Sequence, residues 1–218
     1  MSKDLGTLPQ AARLLGIVSE QGLNAEQVEI LHPLVSALAQ GVSRGRVPTL
    51  DELRKFLGLN KFLGAPTAFA YPAIAEPADP SEFYQTREGL WVDPDFVRWV
   101  LPAAKKLEAL PELAGQHYPL VVDANDGEIR GELPQDCVWE ADEFCTRLAV
   151  KIQRQWDNKT PGNLLNNGYA NIFYVRGVGG EVFAVDVDWS SGAREWRVYA
   201  GRSDDGRWSA GNRAFPRN

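Results

Sequence analysis

The chain has 218 residues, 44% hydrophobic and 24% charged, enough to bury a core in one large domain or two small ones. Its 23 Lys and Arg against 29 Asp and Glu give a net charge of −6, with ten of the former and seventeen of the latter inside residues 61–160. That balance argues against a dedicated nucleic-acid binder, which needs a basic footprint for phosphate, and no apolar run approaches the roughly 20 residues of a membrane span.

In chain order, residues 1–63 read as a helical N-terminal part. Thr7 with Pro9 opens a first helix, Asn24 with Gln27 a second that Pro33 kinks and Gly41 ends, and Thr49 with Glu52 a third. Balanced charge and a short pattern set aside the likeness of the first two to a helix-turn-helix. The opening MSKDLGTLPQAARLLG carries no apolar stretch followed by a small-residue cleavage site, so a cytoplasmic setting is expected, with Cys137 and Cys145 as reduced, buried thiols.

Residues 64–80 have four prolines and six alanines, the composition of a connection draped over a core. Residues 81–218 then read as an α+β domain. Asp93-Pro94 opens a helix in which Phe96, Trp99 and Val100 share a face, and Pro102 marks a break. Asn125 with Glu128 forms a capping box for a short helix before Pro134. Glu140–Trp156 is a longer helix with Phe144, Leu148, Ile152 and Trp156 at helical spacing.

The last quarter alternates with period 2. Phe183, Val185, Val187 and Trp189 fall on one strand face, and Trp196, Val198 and Ala200 on the matching face of the next. A tight turn at Ser191-Gly192 sets Val187 opposite Trp196 and Val185 opposite Val198. A turn at Gly177–Gly180 sets Tyr174 opposite Phe183 and Ile172 opposite Val185. Phe173, Val175, Val182, Ala184 and Tyr199 then share the second face with Asp186, Asp188, Glu195 and Arg197. Asp205-Gly206 adds a further hairpin that carries Trp208 and Phe215 to the sheet's far edge. The fold class expected is α+β: short N-terminal helices, then a C-terminal three- to four-stranded antiparallel sheet backed by helix Glu140–Trp156.

The words EGLWVDPDF, LPQDCVWEADEFC, LLNNGYANIFYV and VDVDWSSGAREWRVYAGRSDDGRWSAGNRAF, spread over roughly the last 130 residues, resemble a recurrent group of small uncharacterised bacterial proteins. The most specific parts are LLNNGYANIFYV and the W…W…RW…AG…F spacing. The resemblance implies no catalytic residue, and it departs at Pro216, where the group often has serine.

Asp186 and Asp188 lie two apart on one strand, about 7 Å between Cα atoms, a spacing that suits acid–base work or cation binding. A solvated charged face with Arg197 as cross-strand partner is the simpler account. His32, beside Pro33, and His117, read as a loop residue, are packing or surface residues. DANDGE (Asp123–Glu128) has its glycine one position too early for a calcium loop, and the two cysteines lack companions for zinc. Neither cofactor nor metal is therefore expected. Arginines interleaved with Trp and Tyr are what protein interfaces favour, and Arg197, Tyr199 and Trp208 are the candidate binding residues. The reading is a non-enzymatic binding or interaction protein acting through the second sheet face on a protein partner or a second copy. The alternative is an enzyme using Asp186 and Asp188.

Overall fold

A computed structural model describes residues 62–156, 162–203 and 206–217. The three N-terminal helices and His32 lie outside the described residues. By its contacts the chain divides into residues 1–61 and a compact unit that starts at Phe62, and the second of these is described below.

Its strands are β1 (Thr67–Tyr71), β2 (Leu90–Val92), β3 (Leu113–Pro119), β4 (Ala124–Asn125), β5 (Val138–Glu140), β6 (Asn171–Arg176), β7 (Val182–Ser190), β8 (Glu195–Arg202), β9 (Arg207–Trp208) and β10 (Arg213–Ala214). The helices are α1 (Pro80–Phe83), α2 (Pro94–Trp99), α3 (Asp126–Glu132) and α4 (Ala141–Arg154). Eight strands form one mixed sheet in the order β1-β3-β10-β6-β7-β8-β2, with β5 also paired to β6, while β4 and β9 form a separate ribbon. This overturns the expected three- to four-stranded antiparallel sheet. The β6–β7–β8 meander is its centre, and short strands from residues 67–140 and the C-terminus widen it on both sides. Thr67–Tyr71, inside the proline-rich stretch read as a connection, is β1 and pairs with β3. His117 sits within β3, not in a loop.

Central strand β6 is buried at Asn171–Val175, on both faces, which is why NIFYV shows no polar alternation. One edge of β6 is shared by parallel β10 at Asn171–Ile172 and parallel β5 at Tyr174–Arg176. Parallel neighbours require a crossover, and α4 is the crossover between β5 and β6. The other edge takes antiparallel β7.

Both hairpins have longer loops than the sequence suggested, and the registers change accordingly. Arg176 pairs with Val182 across a five-residue loop, in which Gly179 and Gly180 have φ of 67° and 77°, a conformation that suits glycine. Val175 therefore faces Phe183, and Phe173 faces Val185. A shift of one residue exchanges the faces of a strand, so Phe173 and Val175 join the helix-covered core rather than an open patch. The β7–β8 loop has four residues, Ser191–Arg194, closed by the Arg194 N–H donating to the Ser190 carbonyl at 2.7 Å. Trp196 then lies opposite Trp189 and Val198 opposite Val187, a shift of two that keeps every face.

Two apolar clusters sandwich the sheet. On one face α2 and α4 pack Phe96, Phe144, Leu148 and Ile152 against Phe173, Val185, Val187 and Trp196. On the other, α3 brings Ile129 and Leu133 onto Ile172, Tyr174, Ala184 and Ala214. The second face is thus covered at its apolar end by α3 and the β4–β9 ribbon.

Local signals decide the helices. Asp93 caps α2 through its carboxylate, with Pro94 in the first turn, and Pro102 falls in a 3-10 turn after which the chain is extended. Asn125 and Glu128 make both bonds of a capping box at 2.9 Å. Glu140 precedes α4, whose buried side includes Phe144, Leu148 and Ile152. Cys137 and Cys145 are free and buried. Among the described residues no helix is long and apolar enough to cross a membrane.

Candidate functional site

Where the cover of α3 stops, strands β7, β8 and β2 present a partly open surface. Strand pairing builds it in rows. Asp188 lies beside Arg197, which lies beside Trp91 of β2; Asp186 lies between Ile172 and Tyr199. Alternation sends these side chains to the face opposite Val185, Val187 and Val198.

Arg197 is fixed rather than free. Its Nε donates to Asp188 Oδ1 at 2.7 Å and its Nη2 to Oδ2 at 2.8 Å, a two-pronged pair that holds the guanidinium in one plane. The Arg197 Cζ lies 5.5 Å from the Tyr199 ring centroid. Trp91 packs on Tyr199 from the neighbouring strand, with centroids 4.8 Å apart and planes tilted by 47°. All three are half-buried, so each keeps a solvent-facing side. Hydrogen bonding to Asp188 holds the Arg197 pKa above its usual value, while partial burial raises that of Tyr199.

The two aspartates do not form a matched pair. Asp188 is buried and engaged by Arg197, whereas Asp186 has a buried Oδ1 without a hydrogen-bond partner. Burial, and then the charge of Asp188, push the Asp186 carboxyl up to about 7, with Arg197 acting the other way. The sign of the consequence is fixed. The unfolded chain loses this proton near pH 4 and the folded chain near pH 7, so stability from Asp186 is present below pH 4 and declines as pH rises to 7. Asp186→Asn is therefore expected to flatten urea-unfolding stability between pH 4 and 7 and to stabilise at pH 8 by about 1–3 kcal/mol. An unchanged pH profile would show that the carboxyl titrates normally.

The structure brings Arg197 and Tyr199 together but sends Trp208 elsewhere. Trp208 pairs with Ala124 in the β4–β9 ribbon and packs against the α3-covered cluster, where its indole N–H donates to Asp126 at 2.8 Å. Trp91 takes the place at the patch that the sequence assigned to Trp208. The only sign of it was an apolar triplet, Leu90-Trp91-Val92, too short to reveal a strand by periodicity. Among the described residues no group of three or more His, Cys, Asp or Glu is arranged to hold a metal ion.

The outer edge of β2 is closed to strand addition at both ends. The Val92 N–H donates to Thr86 Oγ1 at 3.1 Å, the Thr86 hydroxyl donates to the Val92 carbonyl, and Leu90 exchanges backbone hydrogen bonds with Arg87. What this end of the sheet offers is a side-chain surface, not a free backbone edge. No protein-family model matches the chain, nor does any curated protein or solved structure.

Proposed function

We propose that this is a cytoplasmic, non-enzymatic interaction protein that holds a protein partner against the Trp91–Tyr199–Arg197 surface. The observation that carries this reading is the half-buried stack of Trp91 on Tyr199, 4.8 Å between centroids, backed by an arginine that Asp188 has already immobilised. Aromatic residues and arginine supply most binding energy at protein interfaces, and prior ordering of the guanidinium lowers the entropy lost on docking. A second copy of the chain is the other partner of the same chemistry. The double variant Tyr199→Ala/Arg197→Ala, checked for folding by circular dichroism, is expected to lose the partners that the wild-type chain retains in a pull-down from its host. If it lost none, the sheet face would leave the functional account. Sedimentation of the same pair separates the two partners: a dimer dissociated by the variant favours self-association.

One observation favours a second reading, an enzyme using Asp186. A carboxyl pushed up to about 7 with an unpartnered oxygen can exchange a proton near neutral pH. Asp188, both of whose oxygens accept from Arg197, is not free to serve as its partner in catalysis.

A further inference from the structure

The large sheet ends at β2 on one side and at β1 on the other, and the two edges are finished differently. Thr86 and Arg87 close β2. Strand β1 pairs with β3 along its inner side, in one unbroken register from Thr67 to Tyr71. Among the described residues nothing pairs with the backbone N–H and C=O groups of its outer side. A free edge is a template for another strand, and proteins ordinarily guard it with a lysine, an internal proline, a bulge or a cover. TAFAY has no lysine, proline or bulge, and Thr67, Ala68 and Ala70 are exposed.

The strand is held in place. Phe69 and Tyr71 fold over Gly115 of β3 so closely that a methyl group there would lie 2.7 Å from each ring, so only glycine allows the arrangement. From α4, Lys151 Nζ lies 4.1 Å from the centroid of Phe69 and 4.4 Å from that of Tyr71. Both rings are thus committed to the α4 side of the sheet, and alternation leaves Ala68 and Ala70 on the other side, beside Gln116 and Ala114 of β3. A strand already ordered loses little entropy when it pairs.

Three features of the segment select a second copy of this chain as the occupant. Pro66 and Pro72 have no N–H, so they bound an added ladder to the five residues centred on Phe69. Antiparallel pairing about that centre is self-complementary. Phe69 meets its own counterpart and Thr67 meets Tyr71 of the second copy on one face, while Ala68 meets Ala70 on the other, and the prolines fall opposite one another outside the ladder. Charge agrees: a net −6 sets two copies against each other in general, yet no charged residue occurs from Phe62 to Ala75.

We propose that β1 is a dimerisation edge, at which two copies of the chain pair antiparallel about Phe69 and join their sheets into one. A five-residue strand is about 17 Å long, so the contact lies at the small end of protein interfaces and the dimer depends on concentration. It is independent of the Trp91–Tyr199–Arg197 surface, which lies on β2 and β8 at the other end of the sheet.

Sedimentation of the full-length wild-type chain is expected to show a monomer at about 1 μM and a dimer on approach to about 1 mM. Ala68→Lys/Ala70→Lys sets like charges opposite one another across the pairing, on side chains that are exposed in the single chain. With its circular dichroism unchanged, this variant should stay monomeric throughout, and so should Ala68→Glu/Ala70→Glu. Mixed in equal amounts the two should associate, a rescue that a folding defect would not give. Tyr199→Ala/Arg197→Ala should dimerise as the wild type does. A wild type that is monomeric even at the highest concentration would overturn the proposal and leave the edge to a strand of another protein. A dimer that survives Ala68→Lys/Ala70→Lys, a mixture that does not associate, or a dimer lost in Tyr199→Ala/Arg197→Ala would each overturn it as well.

Discussion

Asp126→Ala is expected to destabilise the chain by about 3–5 kcal/mol, because one buried carboxylate joins three separate segments. Asp126 is 1% exposed at the start of α3. Its Oδ1 accepts from the Tyr174 hydroxyl at 2.9 Å and the Trp208 indole at 2.8 Å, and its Oδ2 accepts from the Gly206 N–H at 3.0 Å. Truncation leaves these donors in the second cluster without an acceptor, at about 1–3 kcal/mol for each that water does not reach. Burial raises the Asp126 carboxyl pKa and the three donors oppose that rise. Asp126→Asn, which keeps an acceptor but adds a donor, should lie between the wild type and the alanine variant. Urea unfolding followed by circular dichroism measures the series. A loss below 1 kcal/mol for Asp126→Ala would mean that the ribbon is held by something else.

Trp196→Ala should also cost about 3–5 kcal/mol, the range for truncating a large aromatic residue in a core. Trp196 is fully buried, lies edge-on to Trp189 with centroids 5.5 Å apart, and donates its indole N–H to the Gln155 carbonyl at 3.1 Å. It therefore ties the β7–β8 hairpin to the end of α4. Its neighbour on the other face gives the contrast. Arg197→Ala removes a partly exposed side chain and leaves the buried Asp188 carboxylate without its two-pronged partner, so a smaller loss of about 1–3 kcal/mol is expected. Equal losses in urea for the two variants would contradict the assignment of faces along β8.

That assignment was legible in the sequence because β7 and β8 are long enough for period 2 to show. Phe183, Val185, Val187 and Trp189 share a face by alternation, and the structure buries them in one cluster. Helix ends were legible for a similar reason: Asp93-Pro94 and Asn125 with Glu128 satisfy backbone donors with side chains a few residues away. What could not be read was non-local. Strands β2 and β5 have three residues each and β10 has two, and only partners far along the chain make them strands. The one-residue error in the β6–β7 register came from the loop, where Glu181 belongs to the turn and not to the strand. It inverted the face given to Phe173 and Tyr174, which turned a core residue into an exposed one on paper. Within the candidate surface, Asp186, Asp188, Arg197 and Tyr199 follow from alternation alone. Trp91 does not, since it reaches Tyr199 only through the parallel pairing of β2 with β8. Lys151 was hidden as well: nothing in ADEFCTRLAVKIQR says that two rings from β1, eighty residues earlier, will enclose one of its cations.

The most direct measurement on the interaction surface is site-specific photo-crosslinking in the host, with a benzophenone amino acid at Trp91 or Tyr199 and, as control, at exposed Val122. A discrete heavier species from positions 91 and 199 that is absent from position 122, and that disappears when Arg197→Ala is added, is the result predicted. Irradiation that yields no adduct at 91 and 199, or the same adducts at all three positions, would contradict the account.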